Sequence, residues 1–118
     1  MDRIQIIKGW VDSDGKHQEK IIEVVWIGDG KLPAVGNTVN LKDVTYTNKI
    51  GAATLFGSWT DPNFDASIDA LYYMRVLEIP TPRWSTYDAV KANLELLEDV
   101  LATIQERAWT SPIWYSLK

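Results

Sequence analysis

Apolar and polar residues alternate along the first quarter of the chain, a pattern typical of half-buried β-strands. The alternation predicts one strand from about Arg3 to Val11 and a second from about His17 to Ile27. Between them, Asp12-Ser13-Asp14-Gly15-Lys16 has the composition of a tight turn, because Asp and Ser side chains bond the local backbone and glycine readily adopts a positive φ. The sequence therefore predicts an N-terminal β-hairpin.

A central strand is predicted from Ala70 to Ile79, where apolar residues occupy both alternating faces and glycine is absent. Tyr72, with Met74 two residues later, has the spacing of a tyrosine corner, with Met where an immunoglobulin domain places its second cysteine. Pro80 and Pro82 should end the strand, because proline has no backbone N–H to donate.

The connection between the hairpin and the central strand shows weaker patterns. Gly28 to Pro33 has turn composition, and Val35 to Asn40 suggests an irregular approach to a short edge strand. Val44 to Asn48 alternates in residue type, and Ala53 to Trp59 predicts a further strand. Asp61 to Asp65 predicts the turn that leads into the central strand.

After Ser85 the apolar period changes from two to a helical repeat of three and four. This spacing predicts a helix between about Thr86 and Leu101, with Ser85 or Thr86 as its N-cap. The residues that carry the period are Val90, Leu94, Leu97, Leu101 and Ile104.

The end of the chain, Arg107 to Tyr115, predicts an edge or bulged strand, because Pro112 interrupts it. Short strands joined by turns of hairpin length favour a mainly β fold over a parallel α/β fold. We predict an immunoglobulin-like antiparallel β-sandwich with one helical segment near residues 86–101. We expect residues 1–118 to form a single domain, since no repeat or linker divides them.

Composition narrows the classes of function. The net charge is −4, without a basic run, so we expect no nucleic-acid partner and no anionic-membrane partner. The absence of cysteine excludes disulfides, thiolate metal sites and a cysteine nucleophile. The start Met1-Asp2-Arg3-Ile4 lacks the apolar stretch of an export signal, and no apolar run is long enough to span a membrane, which predicts a soluble protein of unknown location.

The sequence contains no pattern typical of a catalytic site, and we expect no cofactor. His17 is the single histidine, and its polar neighbours favour a solvated side chain over a catalytic or metal-binding one. The loops around Asp12 and Asp61 gather oxygen ligands as calcium sites do, but Asp and Asn serve tight turns far more often. A small stand-alone enzyme is improbable, because no second histidine, phosphate-binding glycine motif or nucleophile elbow accompanies them.

Six tryptophans are the most unusual feature of the composition. Trp10, Trp26 and Trp59 lie in apolar alternation, which favours burial between sheets. Exposed tryptophans on a β-sandwich could instead stack on sugar rings, so a carbohydrate- or ligand-binding module is the alternative function. Trp84, next to Arg83, is a candidate anchor for a protein interface.

Three segments rich in Trp, Tyr and Pro together resemble the C-terminal region of the bacterial domain-of-unknown-function 3604 family. These segments are Asp2 to Asp12, Tyr72 to Ala89 and Gln105 to Tyr115. Full-length members resemble PHP-type (polymerase and histidinol phosphatase) metal-dependent phosphoesterases, and they carry their metal ligands in an N-terminal domain. The resemblance implies no metal ligand, no cofactor and no catalytic residue at any position of this chain, and it leaves export of full-length relatives open.

The resemblance implies a non-catalytic accessory domain that packs against the metal-bearing domain of a PHP-like hydrolase. A second copy of the chain is the other expected partner, because a sandwich that lacks its first strand would have an unpaired edge. The expected interaction surface follows from rigid prolyl turns and from the planar donors of arginine. It consists of Pro80, Pro82, Arg83, Trp84 and Arg107.

Overall fold

The computed structural model of the protein describes residues 1–27 and 36–117. Its β-strands are β1 (Arg3–Val11), β2 (His17–Trp26), β3 (Ala70–Leu77), β4 (Thr81–Pro82), β5 (Thr103–Ile104), β6 (Arg107–Trp109) and β7 (Ile113–Tyr115). One α-helix, α1 (Trp84–Lys91), and one short 3-10 helix (Asn48–Ile50) complete the regular structure of these residues. The predicted turn at Gly28 to Pro33 lies outside the described residues.

The three long strands form most of an antiparallel sheet, in the order β2-β1-β3. β1 and β2 make the predicted hairpin, with Val11 opposite His17 and Gly15 at a φ of 77° in the turn. β3 pairs with β1 on one side and with both β6 and β7 on the other, which confirms it as the central strand. Pro112 separates β6 from β7, so the predicted C-terminal edge strand is two short strands.

The fold is mainly β and antiparallel with one short helix, as the sequence predicts. Among the described residues, the strands form one five-stranded sheet and a separate β4–β5 pair. The immunoglobulin-like arrangement of two stacked sheets is not confirmed. Within the same residues, no strand pairs with the outer edge of β2, which carries the charged residues Glu19, Lys20 and Glu23.

Strand register assigns side chains to two faces of the sheet. On one face, Ile7 is in register with Ile21 and Tyr73, and Leu71 with Trp114. We call this the aromatic face; it carries Ile7, Val11, Ile21, Leu71, Tyr73, Trp109 and Trp114. The opposite face, which we call the covered face, carries Lys8, Val25, Tyr72 and Tyr115.

Residues 52–69 run across the covered face without regular secondary structure. The Lys8 ammonium donates to the Asn63 carbonyl oxygen at 3.0 Å, and the Tyr115 hydroxyl donates to the Ala66 carbonyl oxygen at 3.0 Å. Gly57 lies against Val25 of β2 so closely that a Cβ at this position would overlap the valine side chain. Hydrogen bonds from side chains to backbone carbonyls, together with close packing, therefore hold the segment on the sheet instead of a strand ladder.

Two predicted strands before β3 are wrong. Ala53 to Trp59 is not a strand, and Phe56 in its middle is 91% exposed, because the segment has no neighbouring strand to pair with. In the stretch from Val35 to Asn48, the described residues form one isolated bridge, between Asn40 and Thr45. Val44, in the turn between these two residues, has a φ of 54°, a left-handed conformation that a continuous strand does not contain.

The helix begins and ends earlier than predicted. Its N-cap is Arg83 and its last residue is Lys91, because Asn93 adopts a φ of 54°. The Asn93 amide bonds the Val90 carbonyl at 3.1 Å and the Leu94 amide bonds the Ala89 carbonyl at 2.8 Å, which together form a Schellman motif. The apolar period continues beyond this stop, but its leucines are exposed: Leu94, Leu97 and Leu101.

The molecule is extended and has a small core. Its radius of gyration is 18.7 Å, whereas a compact domain of this length would have one of about 13.5 Å. The fully or nearly buried apolar side chains of the described residues are few: Ile7, Val44, Ala70, Leu77 and Ile79.

Candidate functional site: an arginine-lined cleft beside the sheet

Three of the five residues predicted as an interaction surface lie together. Pro80, Arg83 and Arg107 line an open cleft of about 560 Å³ between the end of β3, the start of α1 and β6. Pro80 follows β3, Arg83 caps the helix and Arg107 begins β6, so the β4–β5 pair brings them together. Trp109 lines the same cleft from the aromatic face of the sheet.

The other two predicted residues differ from this arrangement. Pro82 is buried in the β4–β5 pair opposite Thr103, so it is not part of the accessible surface. Trp84 is 71% exposed at the first position of α1, but it does not line the cleft. The Arg83 backbone amide donates to the Ala102 carbonyl at 2.9 Å, which fixes the residue beside β5.

The cleft presents two cationic groups to solvent. Within the described ranges, neither the Arg83 nor the Arg107 guanidinium makes an ion pair or a side-chain hydrogen bond. Arg107 is exposed and Arg83 is half-buried. The exposed Glu106 also lines the cleft, so its lining carries two positive charges and one negative charge. A planar guanidinium can bind a carboxylate or phosphate in a bidentate manner, so the two arginines are suited to an anionic side chain or ligand.

A buried carboxylate anchors the wall of this cleft to the start of β1. Asp2 is fully buried, and its Oδ2 accepts from Arg3 Nε at 2.9 Å and from Gln105 Nε2 at 2.7 Å. Gln105 also lines the cleft, and it lies just before Arg107. The bond between Asp2 and Gln105 therefore holds the segment before β6 against the sheet.

A second polar cluster lies on the covered face and was not singled out by the sequence analysis. Lys8 Nζ lies 2.5 Å from Asp61 Oδ2, and the Tyr72 hydroxyl donates to the same oxygen at 2.8 Å. The Lys8 ammonium also lies 5.3 Å from the centre of the Trp10 ring and 5.6 Å from that of Tyr72. Tyr72 thus bonds an aspartate side chain and not the upstream backbone, so the predicted tyrosine corner is wrong.

Hydrogen bonds within this cluster stabilise its charged forms. Burial acts to raise the pKa of Asp61, but the bonds from Lys8, the Asn63 amide and Tyr72 outweigh it, and the pKa is lowered. Burial acts to lower the pKa of Lys8, but the bonds to Asp61 and Tyr72 outweigh it and raise the pKa. Burial and the bond to Asp61 raise the pKa of Tyr72. The three groups are therefore held as an ion pair with a neutral phenol.

An adjacent cleft of about 310 Å³ opens beside Lys8, with Trp10 and Tyr72 among its lining residues. The ammonium of Lys8 already donates to Asp61 and to the Asn63 carbonyl, which use two of its three N–H groups. Lys20, which is in register with Lys8, is exposed at the same cleft. We assign Lys8, Asp61 and Tyr72 a structural role, in holding residues 52–69 on the sheet.

The aspartate loops use their carboxylates for their own turns. Asp12 Oδ1 accepts from the Asp14 amide at 3.0 Å and the Lys16 amide at 2.9 Å, and Asp65 Oδ1 accepts from the Ser67 amide at 2.8 Å. His17 is exposed at the start of β2. In the ranges 1–27 and 36–117, no group of three or more His, Cys, Asp or Glu side chains is placed to hold a metal ion.

The tryptophans divide into two groups. Trp10, Trp26 and Trp59 are half-buried, so the residues expected in the core are shielded only in part. Trp84, Trp109 and Trp114 are exposed by 71%, 59% and 69%. Trp109 and Trp114 both project from the aromatic face, on the two short strands that pair with β3.

Comparison with known proteins bears on the three segments that carry the resemblance. A family model described as "Protein of unknown function (DUF3604)" matches residues 1–117. The chain belongs to the DUF3604 family. No curated protein and no solved structure matches the chain.

The DUF3604 match includes every residue of the arginine-lined cleft and of the aromatic face. In the part of this DUF3604 chain that the structure describes, no helix is long and apolar enough to cross a membrane.

Proposed function

We propose that this DUF3604 chain is a non-catalytic accessory domain of a PHP-like metal-dependent hydrolase. In this proposal it packs against the metal-bearing domain through the arginine-lined cleft. The observation that supports it is the convergence of Pro80, Arg83 and Arg107 on one open cleft from segments more than twenty residues apart. Both arginines reach the cleft without an ion-pair partner among the described residues.

The chemistry of the cleft specifies the partner surface. Two guanidinium groups beside a rigid prolyl turn and Trp109 match the usual composition of protein contact centres, where Arg and Trp are enriched. The partner is expected to present at least one carboxylate to Arg83 or Arg107. Because the domain supplies contact residues and no catalytic group in this proposal, its effect on the hydrolase is to shape or cover the metal site.

The alternative function, a carbohydrate- or ligand-binding module, has support from the pair Trp109 and Trp114 on one exposed face. The same face exposes the aliphatic side chains of Val11 and Ile21, by 41% and 48%. Sugar hydroxyls make no favourable contact with aliphatic side chains. Burial of these aliphatic side chains against a protein partner is favourable. A protein contact is therefore the better account of this face.

The test of the accessory role is binding to the metal-bearing domain of the parent hydrolase. That domain is titrated calorimetrically with the wild-type chain, with the double variant Arg83→Glu/Arg107→Glu and with the control Lys42→Glu, an exposed residue outside the cleft. We expect the double variant to bind at least about tenfold more weakly and the control to bind like the wild type. Absence of binding by the wild type, or equal binding by the double variant, would contradict the proposal.

A further inference from the structure

The cleft beside Lys8, on the covered face, has the size of a small-ligand site. Its volume is about 310 Å³, near the lower end of the roughly 300–1,000 Å³ that such sites occupy, so a ligand of one ring suits it better than an extended chain. Trp10 and Tyr72 line it with half-buried rings, and Ile68 adds an aliphatic side chain. None of its lining residues belongs to the arginine-lined cleft.

Two lysines lie directly opposite each other at this cleft. Lys8 on β1 is in register with Lys20 on β2, and both line the cleft. Like charges in directly opposite positions destabilise a sheet. Asp61 balances the charge of Lys8, whereas no ion pair among residues 1–27 and 36–117 includes Lys20. An anion bound in the cleft would relieve the repulsion between the two ammonium groups.

Lys8 retains the capacity to donate one more hydrogen bond. The residue is 9% exposed, and bonds to Asp61 and to the Asn63 carbonyl use two of the three N–H groups of its ammonium. A shielded donor gains most from an acceptor, because little water competes for it. Since directly opposite side chains have Cβ atoms about 4.5–5.5 Å apart, one carboxylate can contact the ammonium groups of both Lys8 and Lys20.

The remaining polar groups of the cleft suit hydroxyls. Asp65 Oδ1 accepts from the amide and the hydroxyl of Ser67 at 2.8 Å and 2.6 Å, which leaves Oδ2 as an acceptor for a ligand. The Asn63 side chain, which also lines the cleft, can both donate and accept. Asp61 and Asp65 together match the charge of the two lysines, so the surroundings favour a monoanion over a phosphate dianion.

We propose that this cleft binds one sugar acid, a hydroxylated six-membered ring that carries a single carboxylate. The carboxylate contacts Lys8 and Lys20. The apolar face of the ring packs on Trp10, and the hydroxyls bond Asp65 and Asn63. The site lies on the opposite side of the sheet from the aromatic face and apart from the arginine-lined cleft, so the inference does not depend on the proposed accessory role.

The experiment is a titration of the ¹⁵N-labelled chain with galacturonate, followed by NMR. The six tryptophans give six indole N–H signals, and that of Trp10 is assigned from its loss in Trp10→Phe. We expect galacturonate to shift the Trp10 indole signal and the Lys20 amide signal in a saturable manner. Lys20→Glu should bind at least about tenfold more weakly, because it places a negative charge where the carboxylate binds. Lys42→Glu changes an exposed lysine outside the cleft, so it is the matched control and should bind like the wild type.

The Lys20→Glu variant should keep the sheet intact, because glutamate opposite Lys8 forms a cross-strand pair of opposite charge. Equal binding by this variant and the wild type would overturn the inference. Absence of any shift at Trp10, or shifts confined to Trp109 and Trp114, would overturn it as well.

Comparison ligands test the class of ligand. Galactose has the ring and hydroxyls without the carboxylate, and it should cause no shift at the concentration at which galacturonate saturates. Benzoate has a ring and a carboxylate without hydroxyls, and it should bind at least about fivefold more weakly. Binding of either as tight as that of galacturonate would overturn the assignment to a sugar acid. Digalacturonate distinguishes two sources of the acid: tighter binding than galacturonate supports the end of a polysaccharide, and equal binding supports a free monomer.

Discussion

Lys8 and Asp61 are 53 residues apart in sequence, and their side chains form an ion pair that joins the middle of β1 to the segment crossing the covered face. Each side chain is only 11% exposed. The Tyr72 hydroxyl and the Asn63 amide complete the hydrogen bonding of the carboxylate. This contact links β1, β3 and residues 52–69. Its removal therefore tests how strongly residues 52–69 are held on the sheet.

Replacement of Asp61 by Asn should destabilise the protein by about 3 kcal/mol, because it leaves the shielded Lys8 ammonium without its counter-charge. Urea unfolding followed by tryptophan fluorescence measures the loss. Asp14→Asn, an exposed aspartate in the β1–β2 turn, is the control and should change stability by less than about 0.5 kcal/mol. An equal effect of both substitutions would show that the ion pair has no special role.

The same pair predicts how stability varies with pH. The pKa of Asp61 is lowered from its ordinary value of 3.8 in the folded protein, because bonds from Lys8, Asn63 and Tyr72 outweigh the effect of its burial. Its contribution is therefore complete above that ordinary value and is lost as the pH falls through the lowered one. Unfolding midpoints of wild type and Asp61→Asn should converge as the pH decreases from about 5 to about 2. Midpoints that stay equally separated would contradict this assignment.

Tyr72→Phe should cost about 1 kcal/mol, since it removes one hydrogen bond and leaves the ion pair in place. The ring remains 6.4 Å from Trp59 in either form. The measurement is the same urea unfolding series, and Tyr46→Phe, an exposed tyrosine, is the matched control. A loss as large as that of Asp61→Asn would indicate that the phenol, and not Lys8, is the principal partner of Asp61.

Gly57→Ala tests the close approach of residues 52–69 to β2. An added Cβ would overlap the Val25 side chain, which is stiff because it is branched at Cβ. We expect a loss of about 1–3 kcal/mol in the free energy of unfolding. In the double variant Gly57→Ala/Val25→Ala the two losses should be less than additive, because the second substitution removes the overlapping atoms. Additive losses would show that the destabilisation by Gly57→Ala does not arise from overlap with the Val25 side chain.

Asn93→Ala should shorten or fray helix α1, because alanine is less favourable than asparagine in the left-handed conformation that ends the helix. Hydrogen exchange at the Leu94 amide, which bonds the Ala89 carbonyl, reports on this stop directly. Protection of that amide should decrease by about fivefold or more, as expected for a loss of about 1 kcal/mol. Asn93→Gly is the control and should retain the protection, because glycine adopts a positive φ freely.

The long strands could be predicted from the sequence because their alternation is strong and local. β1 begins and ends at Arg3 and Val11 as predicted, and β3 is central as predicted. The same rules fail from Ala53 to Trp59, since a strand needs a partner strand that no local pattern reveals. The same rules predict a helix that continues beyond Asn93. The spacing of the leucines contains no information on the left-handed backbone conformation at Asn93 that ends the helix.

The candidate site was predictable only in part. The prolyl turn and its arginines pointed to the cleft, but burial of Pro82 depends on the pairing of β4 with β5. The ion pair between Lys8 and Asp61 was not predicted, because an aspartate at position 61 is also explained by the turn in which it lies. A signal existed in β1, where Lys8 occupies the face otherwise formed by Ile4, Ile6 and Trp10. A charge on an apolar face indicates a distant counter-charge.

The charged outer edge of β2 also bears on aggregation. An exposed strand edge is a template for pairing with another chain, and charged side chains along it oppose such pairing. Glu19, Lys20 and Glu23 lie along this edge. Growth of a fibre through β2 is therefore disfavoured.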